Sequence, residues 1–195
     1  MMEQTFGKSG KDIWKKAQGI DNSPVKPTYE RKSISQERTF EKDITDVKRL
    51  ESVIITMAEC LAGMLRMGGK LTSCLTLKLK YSDFQTQSKQ VKIPYTALDH
   101  VLIDRAKELF RKLYHRRVLV RLVGLKCSHL VRGCYQMQLF DDTEEMIRLY
   151  QALDKVRGKY GSRCVARAIG MDVPNMGYWN PFTGEPPTPP AHRTM

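Results

Sequence analysis

The stretch LTSCLTLKLKY (71–81) constrains the fold more than any other. Leu75, Leu77, Leu79 and Tyr81 alternate with Thr76, Lys78 and Lys80, and alternate residues of a strand point to opposite faces. Such a strand needs an apolar cover on one side, with water or a polar partner on the other. Just upstream, from Asp46 to Met67, the residues Val47, Leu50, Ile54, Met57, Leu61 and Leu65 recur at steps of three and four. That spacing predicts an amphipathic helix, stopped by Gly68-Gly69, which can supply the cover.

The remaining elements extend the pattern. KSISQERTF (32–40) is short, polar and partly β-branched, and reads as an edge strand. SDF is a turn, and QTQSKQVKIPY after it makes a hairpin with the lysine-bearing strand. A second helix runs from about Ala97 to Tyr114, with Leu98, Val101, Leu102, Leu109, Phe110 and Leu113 on one side. VLVRLVGLKCSHL (118–130) is a further strand. The order strand, helix, strand, strand, helix, strand predicts an α+β fold: a split βαβ (βαββαβ) four-stranded sheet with two helices on one face. The other face is left open. A C-terminal helix (142–161) follows, with Asp142 and Glu145 placed as a capping box and Met146, Leu149, Leu153 and Val156 as its apolar stripe. Ahead of the sheet, residues 8–18 read as a short helix ended by Gly19. Residues 21–31, with Pro24 and Pro27, read as an extended linker. The proline-rich end, 162–195, is expected to be an irregular, disordered tail.

Charge narrows the partners. Lysine and arginine number 33 against 21 acids, a net charge of +12. This favours a polyanion, nucleic acid before an anionic membrane. No apolar run approaches the roughly 20 residues that span a bilayer, and the N-terminus lacks a secretory signal. A cytoplasmic protein is expected, with no membrane partner. The cysteines (Cys60, Cys74, Cys127, Cys134, Cys164) are irregularly spaced, with no C-x-x-C pair, so neither zinc nor a disulfide framework is indicated. The acids Asp141, Asp142, Glu144 and Glu145 suit a helix start better than a metal site. No nucleophile, base or metal pattern points to catalysis, and no cofactor or metal is expected in this chain.

The open face is then either a simply solvated surface or the place where a partner binds. Readers of single-stranded RNA or DNA place aromatics on the outward face of such a sheet, whereas here those positions hold Thr76, Lys78 and Lys80. Lysine, serine and threonine suit duplex phosphates, gripped without reading sequence.

KSISQERTF, LTLKLKYSDFQTQSK and VRLVGLKCSHL together resemble the little-finger domain of Y-family translesion DNA polymerases, the DNA polymerase IV group. The upstream FGKSGKDIWKKAQGIDNSPVKP resembles the end of that family's thumb and the linker behind it. The resemblance covers roughly residues 4–160. It implies a thumb remnant (1–20), a linker (21–31), a DNA-binding little finger (32–134), a clamp-binding peptide (135–141) and the helix and tail beyond. It further implies that Lys32, Ser33, Ser35 and Arg38 on the first strand, Lys78 and Lys80 on the second, and Gln85 and Gln87 on the third approach the phosphates of primer–template DNA. QMQLF resembles the family's clamp-binding peptide. Leu139 and Phe140 would fill an apolar pocket on the sliding clamp, Gln136 a polar subsite, and the flexible Met137 would stand in for leucine.

The family's chemistry belongs to palm carboxylates holding magnesium ions. The resemblance places that palm, and a fingers domain, ahead of these residues. The chain is therefore expected to hold DNA and clamp as a monomer without polymerising DNA itself, in a bacterial cytoplasm beside the nucleoid. A free-standing adaptor or competitor for clamp and DNA is the alternative.

Overall fold

The computed structural model describes residues 2–25, 30–116, 118–133, 143–161, 164–171 and 173. The chain divides into two units, 1–30 and 31–195. The first contains α1 (Met2–Phe6) and α2 (Lys8–Ala17). α2 ends at Gly19, whose φ of 78° suits glycine. Gly19 N–H donates to Lys16 O at 3.0 Å and Ile20 N–H to Lys15 O at 2.9 Å, a Schellman stop that satisfies the last carbonyls.

The second unit contains β1 (Ser33–Ile44), α3 (Val47–Met67), β2 (Lys70–Tyr81), β3 (Thr86–Thr96), α4 (Asp99–Leu113), β4 (Val120–Arg132) and α5 (Thr143–Tyr160). The strands form one sheet in the order β1-β4-β2-β3, and every neighbouring pair is antiparallel. β1 therefore runs parallel to β2 with β4 between them, and β3 parallel to β4 with β2 between them. These are two interleaved split βαβ units, as the sequence predicts. β1 is an edge strand, but it continues past Phe40 to Ile44 through an irregularity between Thr39 and Ile44.

α3 starts where Asp46 accepts hydrogen bonds from the N–H groups of Lys48 (2.9 Å) and Arg49 (3.4 Å), an N-cap that satisfies two otherwise unpaired donors. It stops at Gly68-Gly69, with Gly69 at φ 57°. Leu75, Leu77, Leu79 and Tyr81 of β2 are completely buried against Leu50, Ile54, Met57 and Leu61 of α3 and Leu102 and Ala106 of α4. Each leucine removed from water in this way contributes about 1.5–3 kcal/mol, so this face alone accounts for the sheet's attachment to both helices.

Beyond β4 the structure decides what the sequence leaves open. The stripe of α5 divides: Met146 and Leu153 are half-buried, Leu149 is 48% exposed and Val156 38%, and Tyr150, outside the stripe, is the most buried at 2%. The cause is Arg66 on α3. Its nearly buried guanidinium donates twice to Asp154 (2.6 and 2.9 Å), once to Asp99 (2.5 Å) and once to Ala97 O (2.7 Å). Burial acts against this charge, but Asp154 and Asp99 hold the guanidinium protonated beyond its ordinary range. The Tyr150 ring lies over Arg66 at 5.1 Å, its hydroxyl accepts from His100 N–H at 3.2 Å, and Arg157 stands 3.9 Å from Asp99. A buried cation must be neutralised, and α5 brings Asp154 inward beside Tyr150 to do so.

The segment after α5 differs from the irregular tail expected for 162–195. A 3-10 turn, Ala168–Gly170, lies against α3, where a Cβ on Gly170 would stand 2.9 Å from Thr56 Oγ1. Arg167 bridges to Glu59 at 2.6 Å, and Val173 joins the core. Asp142, the expected cap of α5, lies outside the described residues.

Candidate nucleic-acid interface

Register fixes which side chains share the open face, because directly opposed residues of an antiparallel pair point the same way. Four rows cross the sheet in the order β1, β4, β2, β3. They are Ser33, Ser128, Cys74, Lys92; Ser35, Lys126, Thr76, Gln90; Glu37, Gly124, Lys78, Ser88; and Thr39, Leu122, Lys80, Thr86. Rows lie about 6.7 Å apart and neighbouring strands about 4.8 Å apart. The lattice presents four lysines, one carboxylate, and serine and threonine hydroxyls that can donate to an anion.

The residues named from the resemblance divide on this lattice. Ser33, Ser35, Lys78 and Lys80 lie on the open face, and Lys32 precedes β1, exposed. Arg38 pairs with Val123 and Gln87 with Leu79, which turns both toward the helix side and corrects their expected place on the open surface. Gln85 precedes β3 in the hairpin turn instead of lying in the strand. There its Oε1 accepts from Arg116 at 2.8 Å. Sequence reading missed Lys92, Lys126 and Glu37. Lys126 was visible in the alternation of VRLVGLKCSHL, and Lys92 in the continuation of QTQSKQVK. Gln136, Met137, Leu139 and Phe140 lie outside the described residues, as do Asp141 and Asp142. Glu144, in the first turn of α5, pairs with Arg148 at 2.5 Å.

At the hairpin end, Phe84 adopts φ 63° and stays 61% exposed. Lys80 Nζ stands 4.8 Å and Arg121 Cζ 5.0 Å from its ring centre, so the ring's negative faces gather two cations beside the last row. On the helix side, burial pushes the Cys127 thiol up to about 12, helped by Cys74 and opposed by a hydrogen bond with Thr72. That thiol is inert in neutral solution. Among the described residues no group of three or more metal-ligating side chains could hold an ion, and no helix is long and apolar enough to cross a membrane.

A helix-backed, four-stranded split-βαβ sheet with a cationic, hydroxyl-lined free face defines the class of domain. Residues 31–139 match the impB/mucB/samB family C-terminal domain, and the chain belongs to that family. It is 31% identical over 175 residues to DNA polymerase IV of Clostridium acetobutylicum, spanning 87% of this chain and 44% of that protein. It is 31% identical to DNA polymerase IV of Moorella thermoacetica over 85% of this chain and 42% of that protein. With DNA polymerase IV of Streptococcus pyogenes serotype M3 the identity is 36%, over 64% and 34%. The chain thus spans less than half the length of these relatives. A solved complex of the beta-clamp processivity factor and the little finger domain of PolIV is similar over 55% of this chain and 97% of that chain, with 23% identity and a TM-score of 0.42. The likeness to the DNA polymerase IV group is borne out at the level of the family.

Proposed function

We propose that the open face grips the phosphates of duplex or primer–template DNA and that QMQLF docks on a sliding clamp, so that the chain does the holding in lesion bypass. Residues 1–20 are then the end of a thumb. The observation that carries the DNA reading is the lattice: lysines spread over β4, β2 and β3 and interleaved with hydroxyls, with no aromatic in the four rows. Lysine and hydroxyl donors position a backbone without specifying bases. Ser33, Ser35, Lys78 and Lys80 are its contacts, joined by Lys126 and Lys92, with Lys32 at the margin. The clamp reading rests on the likeness of Gln136, Met137, Leu139 and Phe140 to the family's peptide. A ring around the same duplex would raise the effective concentration of each partner for the other, by about 100-fold or more in joint binding.

Fluorescence anisotropy with a labelled primer–template duplex tests the first part. Log affinity should fall by about 0.9 per phosphate neutralised for each unit of log salt. Lys78, Lys80, Lys92 and Lys126 together then give a slope of about 3.6, on the order of one phosphate each. Lys78→Ala with Lys80→Ala should weaken binding and flatten the slope by about 1 to 2, and an unchanged slope would remove these lysines from the contact surface. Calorimetry with a sliding clamp tests the second. Leu139→Ala/Phe140→Ala, still folded, should abolish binding, whereas equal binding by parent and variant would place the clamp contact elsewhere.

A further inference from the structure

The open face carries one carboxylate in its lattice, and that carboxylate lies in the interior of the lysine pattern. Glu37 on β1 reaches across β4 to Lys78 on β2, with Oε1 3.0 Å and Oε2 3.3 Å from Nζ. The residue it passes over is Gly124, where a Cβ would stand 2.9 Å from Glu37 Cγ and 3.2 Å from Cδ. A glycine inside a strand weakens it and marks a close approach, and here the approaching group is the Glu37 side chain. Glu37 and Lys78 are 45% and 38% exposed, and a pair so wet contributes little to stability. Stability therefore does not explain why the crossing is there.

We propose that Glu37 is a built-in competitor for phosphate. In the free chain it occupies Lys78, and on duplex DNA a backbone phosphate displaces it, so that Glu37 sets how tightly the face holds. This rests on the duplex reading above. The carboxylate offers Lys78 the same charge-assisted hydrogen bonds that a phosphate would. After displacement it stays beside the phosphate and repels it. The other lysines of the lattice, Lys80, Lys92 and Lys126, have no carboxylate partner among the described residues, so the restraint acts on one contact and leaves the surface cationic.

The test is duplex affinity of Glu37→Gln by anisotropy across a salt series, with the fold checked by thermal melting. Binding should tighten about 3- to 10-fold near 0.1 M salt with little change in the salt slope, because Lys78 meets a phosphate in both chains. Asp104→Asn, the same charge change at an exposed position on α4, should tighten binding much less. Adding Lys78→Ala to Glu37→Gln should erase the gain. An unchanged or weaker Glu37→Gln overturns the proposal, and so does a gain that survives loss of Lys78, which would be bulk charge alone. A parent chain that fails to bind duplex at low salt overturns the duplex reading itself. Normal parent binding with an unresponsive Glu37→Gln removes only the competitor.

Discussion

Two ion-pair systems sit on opposite sides of the same sheet, and their surroundings give them different work. On the helix side Arg66 is 8% exposed and Asp99 1%, with Asp154 and Tyr150 closing over them. On the open side Lys78 and Glu37 are each more than a third exposed. Taking charges out of water is expensive, so a buried pair becomes an obligation that the rest of the fold must meet. An exposed pair costs little to break, so a competing anion can break it. The chemistry is the same cation and carboxylate. Burial decides that the first organises α5 and leaves the second available to a ligand.

The contrast can be broken from either side. The largest expected effect is on the buried side. Arg66→Ala leaves Asp99 and Asp154 without their shared cation and should cost about 3–5 kcal/mol in urea unfolding, while α5 becomes an early target of proteolysis. A loss under 1 kcal/mol would mean that the network is dispensable. Next come two neighbours on β2 whose side chains face opposite ways. Leu77→Ala should cost about 2–5 kcal/mol through lost transfer energy and a cavity, whereas Lys78→Ala should change stability by less than about 0.5 kcal/mol. Comparable losses would mean that the open face is part of the core. Smaller again is the N-cap: Asp46→Ala should cost about 1 kcal/mol, and a neutral result would leave α3 capped by other means. Thiol labelling at pH 8 gives the finest contrast. Exposed Cys164 should react promptly, while Cys74 and Cys127, buried and in the latter case pushed up to about 12, should wait for unfolding.

Much of the fold was legible because its signals are local. The alternation at 75–81 and the three-and-four spacing at 47–65 each select a period, and Gly68-Gly69 separates them. The places that could not be read depend on partners far along the chain. Arg66 meets Asp154 across 88 residues, so how α5 docks is set by a partner that its own spacing does not announce. QTQSKQ has no apolar alternation of its own. The face of Gln87 is set by its pairing with Leu79, just as Val123 sets that of Arg38. The Glu37–Lys78 contact needs β4 placed between β1 and β2, which no short-range pattern encodes.

The most direct measurement of the central claim is amide chemical-shift mapping of the labelled chain as a short duplex is added. Binding at the open face predicts shifts concentrated at Ser33, Ser35, Thr76, Lys78, Lys80 and Lys126, with the exposed residues of α4 quiet. Shifts gathered on α3 and α4, with that lattice unmoved, would contradict it.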